Sequence, residues 1–221
     1  MDLPRKPLAV IFDMDGILFD TESLYMKAAS IAAGQLGSTM PREVYLRTIG
    51  LAEECAIPVL KDHFGEDFDI PALRTATRTK LMELIQEPTY LKTGVNELLD
   101  LLDDRVTPRA IATSSAHPSV KHHLSVHDLG HRFETIVARG DYARAKPNPD
   151  PFLLAANRLG VAPVDCIALE DSHIGVRAAS SAGMMTIMVP DLLEATDEIA
   201  ALCVGVARDL HQVREVVSDL L

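Results

Sequence analysis

The stretch LAVIFDMDG, residues 8–16, joins a short apolar run to two aspartates and a glycine. The run at residues 8–12 is typical of a buried strand. Asp13, Asp15 and Gly16 follow at once, and Asp and Gly are residues that favour a turn. The pattern therefore predicts a buried strand that presents two carboxylates at its carboxyl end.

Other short apolar runs predict further strands. Helix-like stretches separate the later runs, and this alternation is typical of βαβ units and of a parallel sheet with helices on both faces. The predicted strands are residues 109–113, 135–138, 166–169 and 186–189, with a weaker candidate at 202–206. The predicted helices of this part are residues 95–102, 117–126, 149–159, 173–182 and 210–220.

The gap between the first two predicted strands breaks this rhythm. It runs from about residue 20 to about residue 107, much longer than one crossover connection needs. Its sequence predicts helices at residues 22–36, 42–49, 53–64 and 71–86. We therefore predict an α/β fold, a doubly wound parallel sheet with an inserted α-helical domain. The core takes residues 1–19 and 88–221, and the insert takes residues 20–87.

The composition restricts the class of partner. Lys and Arg number 21 against 32 Asp and Glu, for a net charge of −11, so nucleic acid is not expected, because phosphate backbones are bound by clustered cations. The first apolar run is too short for a signal peptide, and no stretch approaches the ~20 apolar residues of a membrane span. Cys55, Cys166 and Cys203 are widely spaced, which predicts no disulfide framework and fits a cytoplasmic location.

Polar residues follow the predicted strands where their carboxyl ends meet, which is where ligands bind in open parallel sheets. Two carboxylates about 4 Å apart repel by roughly 4 kcal/mol at an effective dielectric constant near 20, so a cluster of four needs a cation. Oxygen ligands suit Mg²⁺, and an added lysine and hydroxyls favour a bound phosphate. The residues are Asp13 and Asp15, Thr113 and Ser114, Lys146, and Glu170 with Asp171.

Four ordered motifs, at residues 13–16, 113–114, 146–150 and 170–172, resemble those of the haloacid dehalogenase (HAD) superfamily. Wider stretches resemble its β-phosphoglucomutase-like phosphatases, which carry a helical cap inserted after the first motif. The resemblance implies an enzyme, a phosphoric monoester hydrolase that uses Mg²⁺. Its expected substrate is a small phosphorylated metabolite, a sugar phosphate or a nucleoside monophosphate, cleaved through an aspartyl-phosphate intermediate.

The resemblance also implies a role for each matching residue. Asp13 would be the nucleophile, and Asp15 would protonate the leaving alcohol and then deprotonate water. Thr113 and the backbone N–H of Ser114 would hold the phosphoryl oxygens, and Lys146 would neutralise the nucleophile and the transferring group.

The metal set implied by the resemblance consists of carboxylates from two motifs. Asp13 and Asp15 would contribute from the first motif, Asp15 through its backbone carbonyl. Asp171, with Glu170 directly or through water, would complete the Mg²⁺ site.

Two alternatives remain at this point. A phosphosugar mutase would use a cap histidine and a cap arginine. This chain has Tyr25 at the histidine position, and the expected arginine position falls near Glu53. A phospho-accepting signalling module would be much shorter, without a cap and without an acid two residues after the phosphorylated aspartate. Both comparisons favour hydrolysis.

Three histidines recur at a helical spacing, His123, His127 and His131. They could form a metal-binding face, but no carboxylate or cysteine completes a ligand set. We therefore predict a solvated helix face. The oligomeric state is not predicted by the sequence.

Overall fold

The computed structural model describes residues 1, 3–49, 53–84 and 90–218, and for residues 53–55 only the backbone. Contacts divide the chain into two compact units. One unit comprises Met1–Phe19 and Tyr90–Leu221, and the other comprises Asp20–Thr89. The predicted boundary at residues 87–88 lies outside the described residues, and the role of the second unit as a cap stays a prediction.

The second unit is helical. Ala32, Val44, Leu60 and Leu73 are buried together in a core of its own, because helices that are each apolar on one side bury those sides against one another. The predicted helix at 42–49 is shorter than expected, and the predicted end at 85–86 is not described. The helices are α1 (Glu22–Gln35), α2 (Arg42–Leu46), α3 (Glu53–Phe64) and α4 (Ile70–Leu84).

The first unit contains the sheet. Among the described residues, six strands run parallel in the order β3-β2-β1-β4-β5-β6. β1 lies between β2 and β4, and the chain moves outward from it in both directions, so the prediction of a doubly wound parallel sheet is confirmed. The strands are β1 (Ala9–Phe12), β2 (Arg109–Ala116), β3 (Thr135–Arg139), β4 (Cys166–Glu170), β5 (Met185–Met188) and β6 (Gly205–Val206).

Both faces of the sheet are buried. Val10 and Phe12 of β1 belong to one apolar core, and Ala9 and Ile11 belong to the other, because successive side chains of a strand point to opposite faces. The helices of this unit are α5 (Val95–Asp104), α6 (His117–Val126), α7 (Asp150–Leu159), α8 (His173–Ser181), α9 (Asp197–Ala200) and α10 (Leu210–Ser218).

The largest difference from the predicted elements is the length of β2. The strand was expected to end at Thr113, but it continues to Ala116 with a shift of register against β3 between Ala112 and Ala116. The short helix α9 was not predicted, and residues 219–220 of the last predicted helix are not described. Within the described residues, no helix combines the length and the apolar character that crossing a membrane requires.

Candidate active site

The turn after β1 depends on a glycine. Gly16 has φ of +82°, a left-handed conformation that glycine adopts without strain, and its N–H donates to the carbonyl of Phe19 at 2.9 Å. A Cβ on Gly16 would lie 2.3 Å from Oδ2 of Asp171. The missing side chain therefore lets the residue after β4 lie directly against the turn that carries Asp13 and Asp15.

Lys146 bridges two buried carboxylates at the carboxyl ends of β1 and β4. Its Nζ donates to Oδ1 of Asp13 and, at 2.6 Å, to Oε1 of Glu170. Asp13 is 7% exposed, Glu170 is fully buried, and the Lys146 side chain is 3% exposed. The Phe152 ring centroid lies 4.8 Å from the ammonium group. The lysine is therefore held in a fixed place beside the aspartate that was predicted to be the nucleophile.

Burial and neighbouring charges shift the pKa values of Asp13 and Lys146. Burial raises the pKa of Asp13 well above its ordinary value, and the nearby carboxylates of Glu170 and Asp15 act in the same direction, against the opposing effect of Lys146. Burial alone would lower the pKa of Lys146, but the Asp13 and Glu170 carboxylates outweigh it and raise that pKa. The site therefore keeps its lysine charged, while burial disfavours the ionised form of Asp13.

Glu170 is held from the side of α8 as well. Its Oε2 accepts from the Ser172 backbone N–H at 3.2 Å and from the Ser172 hydroxyl at 3.0 Å. Ser172 is also the N-cap of α8, since its hydroxyl accepts from the N–H of Gly175 at 3.2 Å. A Cβ on Gly175 would lie 1.9 Å from the Glu170 carboxyl carbon. The absence of a side chain there lets the carboxylate lie against the first turn of the helix.

We expect Gly175→Ala to lower the free energy of unfolding by about 1–3 kcal/mol, because an added methyl group meets a buried and fully bonded carboxylate. Denaturant unfolding measures the change. Gly34→Ala is the matched control, since a Cβ at Gly34 would meet nothing within 4 Å. In helix α1 that change is expected to be neutral or stabilising. Equal stability of the two variants would contradict the placement of Glu170.

Asp15 lies beside the end of β2. Its Oδ2 accepts from the Ser115 hydroxyl at 2.7 Å and from the Thr113 hydroxyl at 3.4 Å. The carbonyl of Thr113 accepts from the Tyr142 hydroxyl at 3.2 Å. The side chain of Ser114, between the two donors, is exposed. Ser115 and Tyr142 were given no role from the sequence, where a third residue of a Thr-Ser-Ser run and a lone tyrosine offered no signal for one.

The carboxylates fit a hard divalent cation. Asp13, Asp15, Glu170 and Asp171 supply oxygen donors at one edge of the sheet, where Lys146 is the cation bonded to Asp13 and Glu170. Among the described residues, no three or more His, Cys, Asp or Glu side chains are already gathered as a metal site. Mg²⁺ commonly takes only one or two carboxylates and completes its shell with water and substrate phosphate, so the donor set suits it.

The predicted solvated histidine face is wrong for His123. This side chain is fully buried in α6, and its ring centroid lies 5.3 Å from that of Phe19. Burial lowers the pKa of His123. Val120, His123 and Leu124 follow the i, i+3, i+4 spacing of a buried helix face, which would have identified the histidine as buried.

Comparison with known proteins decides the family. A sequence model described as haloacid dehalogenase-like hydrolase matches residues 10–189. The chain belongs to this family. The predictions of the family and of an enzyme are therefore confirmed.

Two curated relatives that are similar in sequence to this hydrolase are named as phosphatases. A protein named "Probable pseudouridine-5'-phosphatase" from Drosophila melanogaster is 35% identical over 193 residues, covering 85% of this chain and 83% of the relative. Hexitol phosphatase B of Escherichia coli K12 is 30% identical over 194 residues, covering 86% of each. Among solved structures, CbbY from Rhodobacter sphaeroides in complex with phosphate matches with a TM-score of 0.74 and 26% identity, covering 94% of this hydrolase and 96% of that chain.

Proposed function

We propose that this hydrolase is a Mg²⁺-dependent phosphatase that cleaves small phosphomonoesters, sugar phosphates or nucleoside monophosphates, through an aspartyl-phosphate on Asp13. The observation that carries the proposal is the buried Asp13–Lys146–Glu170 group at the carboxyl end of the central strand. A charged lysine fixed beside a buried carboxylate suits the transfer of a dianionic group to that carboxylate. The named phosphatase relatives support the same substrate class.

In the first step, an oxygen of Asp13 attacks phosphorus while the bond from phosphorus to the ester oxygen breaks. Asp15 gives its proton to the leaving oxygen, so an alcohol departs rather than an alkoxide. Lys146 holds Asp13 in place and balances negative charge on the transferring group. Thr113 and the N–H of Ser114 are proposed to donate to its oxygens.

In the second step, water attacks phosphorus and the bond to Asp13 breaks, which releases inorganic phosphate. Asp15, now a carboxylate, takes a proton from the attacking water. Mg²⁺ held by Asp13, Asp171, Glu170 and the carbonyl of Asp15 would supply neutralisation of phosphoryl charge.

The cytoplasmic location predicted from the cysteines stays a prediction.

A phosphosugar mutase is the second candidate, and one observation keeps it open. Arg74 and Arg78 line an open pocket of about 310 Å³ inside the helical unit together with Tyr25 and Tyr45. A mutase needs a cation to anchor the second phosphate of a bisphosphate intermediate, and these arginines are candidates for it. The side chain of Glu53, near the position where the mutase arginine was expected, is not described.

Hydrolysis and isomerisation are separated by one set of assays. We expect phosphate release from a panel of sugar phosphates and nucleoside monophosphates, ranked by kcat/KM. With β-glucose 1-phosphate and catalytic β-glucose 1,6-bisphosphate, we expect inorganic phosphate to account for any turnover. Rapid formation of glucose 6-phosphate with negligible phosphate release would contradict the phosphatase proposal and support the mutase.

A further inference from the structure

We propose that Ser115 is a positioning residue for Asp15, acting through that carboxyl group and not on the phosphoryl group. This inference rests on the proposed function. Ser115 lies next to two residues given phosphoryl-binding roles, Thr113 and Ser114, yet its own hydroxyl bonds the acid–base residue. Its distance to Oδ2 of Asp15 is 2.7 Å, at the mode for an O–H···O hydrogen bond, whereas the Thr113 hydroxyl is at 3.4 Å.

The backbone fixes the position of this hydroxyl. Ser115 belongs to β2, which shifts register against β3 between Ala112 and Ala116, and such irregularities redirect side chains at strand ends. The N–H of Ser115 donates to the Thr113 hydroxyl oxygen at 3.0 Å. Thr113 is fully buried. The Ser115 side chain is therefore anchored on a rigid part of the sheet and not on a mobile loop.

The Ser115 hydroxyl, which donates to one oxygen of the Asp15 carboxyl group, determines which oxygen carries the proton. A protonated carboxyl has one O–H donor and one oxygen that only accepts. Donation from Ser115 makes Oδ2 the accepting oxygen and places the transferable proton on Oδ1, which leaves the Thr113 hydroxyl for the phosphoryl group. Ser115 thus orients Asp15 for both proton transfers.

The chemistry that depends on this orientation is balanced in each direction. During attack by Asp13, the proton on Asp15 moves to the ester oxygen as its bond to phosphorus breaks. During hydrolysis, a proton of the attacking water moves back to Asp15 as the bond between phosphorus and Asp13 breaks. A misoriented Asp15 therefore slows the first step most when the leaving oxygen is strongly basic, because that oxygen most needs the proton.

The test measures single-turnover formation of the phosphoenzyme by rapid quench. It uses two aryl phosphates of similar shape, each labelled in the phosphoryl group. In 4-nitrophenyl phosphate the nitro group stabilises the leaving phenolate, so protonation matters little, while phenyl phosphate needs the proton. For Ser115→Ala we expect a loss of roughly 10-fold or more with phenyl phosphate and nearly unchanged formation with 4-nitrophenyl phosphate. Hydrolysis of the phosphoenzyme is expected to slow for both substrates.

Three further variants complete the test. Ser115→Cys, similar in shape but a weak donor, is expected to reproduce the dependence on the leaving group. Ser115→Thr keeps the hydroxyl and is expected to restore phenyl phosphate reactivity. Ser125→Ala is the matched control, because it also removes a serine hydroxyl from this unit but one that bonds the carbonyl of His122. It is expected to react like the wild type.

The outcomes separate this inference from the proposed function. Equal slowing with both substrates would show that the hydroxyl acts on the phosphoryl group, and no slowing in Ser115→Ala or Ser115→Cys would show no role in proton transfer. Either result overturns the inference while a wild-type phosphoenzyme still supports the phosphatase. A wild type that forms no phosphoenzyme overturns the proposed function and the inference with it.

Discussion

Asp13→Asn is expected to reduce turnover by on the order of 10⁴-fold or more, because the amide keeps the shape of the side chain but is a poor nucleophile. Steady-state phosphate release from the best substrate of the panel measures the loss. Asp128→Asn is the matched control. It makes the same chemical change at the surface, since the Asp128 side chain is 99% exposed. That control is expected to keep full activity. A loss below about tenfold in Asp13→Asn would contradict the assignment of the nucleophile.

The same substitution is expected to leave the protein folded in metal-free buffer, with a Tm no lower than that of the wild type. Burial raises the pKa of Asp13 in the folded state, so the fold disfavours its ionised form. A carboxyl group of this kind does not reduce the free energy of unfolding below its unfolded pKa. Above that pH the free energy of unfolding falls, and the full loss is reached once the pH has passed the folded pKa. Asparagine carries no such charge, and Lys146 keeps its bond to Glu170.

Removal of the divalent cation is the second change with a large expected effect. Excess EDTA is expected to abolish turnover, and Mg²⁺ but not Ca²⁺ is expected to restore it, because Ca²⁺ takes more ligands at longer distances. Mg²⁺ is also expected to raise the Tm of the wild type, since a ligand that binds only the folded state stabilises it. Full activity in excess EDTA, with no shift of Tm on adding Mg²⁺, would contradict the metal assignment.

Much of the fold followed from short patterns in the sequence. The apolar run before Asp13 and the alternation of strands and helices after residue 107 predicted the parallel sheet that the structure contains. The long gap after the first strand predicted the helices of Asp20–Thr89. These patterns are readable because a strand buried on both faces is apolar throughout, and because a crossover rarely needs so many residues.

The close contacts of the candidate site could not be predicted in the same way. The extension of β2 to Ala116, which brings Ser115 to Asp15, depends on a register shift against β3 and not on strand propensity. The start of α8 at residue 173 was predicted, but the contact of Glu170 with Gly175 in its first turn was not. Both features arise from tertiary packing, which a local pattern does not contain.

His123 shows how a correct helix prediction still led to a wrong environment. The helix at residues 117–126 was predicted with its observed bounds, but three histidines in a row of helical spacing were interpreted as a solvated face. The structure buries His123 beside Phe19 while His131 is exposed. That interpretation relied on histidine being polar and ignored its position on the helix. Val120 and Leu124, on the same side of the helix as His123, indicated that this side is buried.

The central claim is that the phosphoryl group passes through Asp13, and trapping the intermediate tests it most directly. Wild-type enzyme is mixed with labelled phosphomonoester and Mg²⁺, quenched in acid within one turnover, digested and sequenced by mass spectrometry. The account predicts stoichiometric label on the peptide that contains Asp13, reduced to background in Asp13→Asn. Label on any other residue, or steady phosphate release with no labelled enzyme at any quench time, would contradict it.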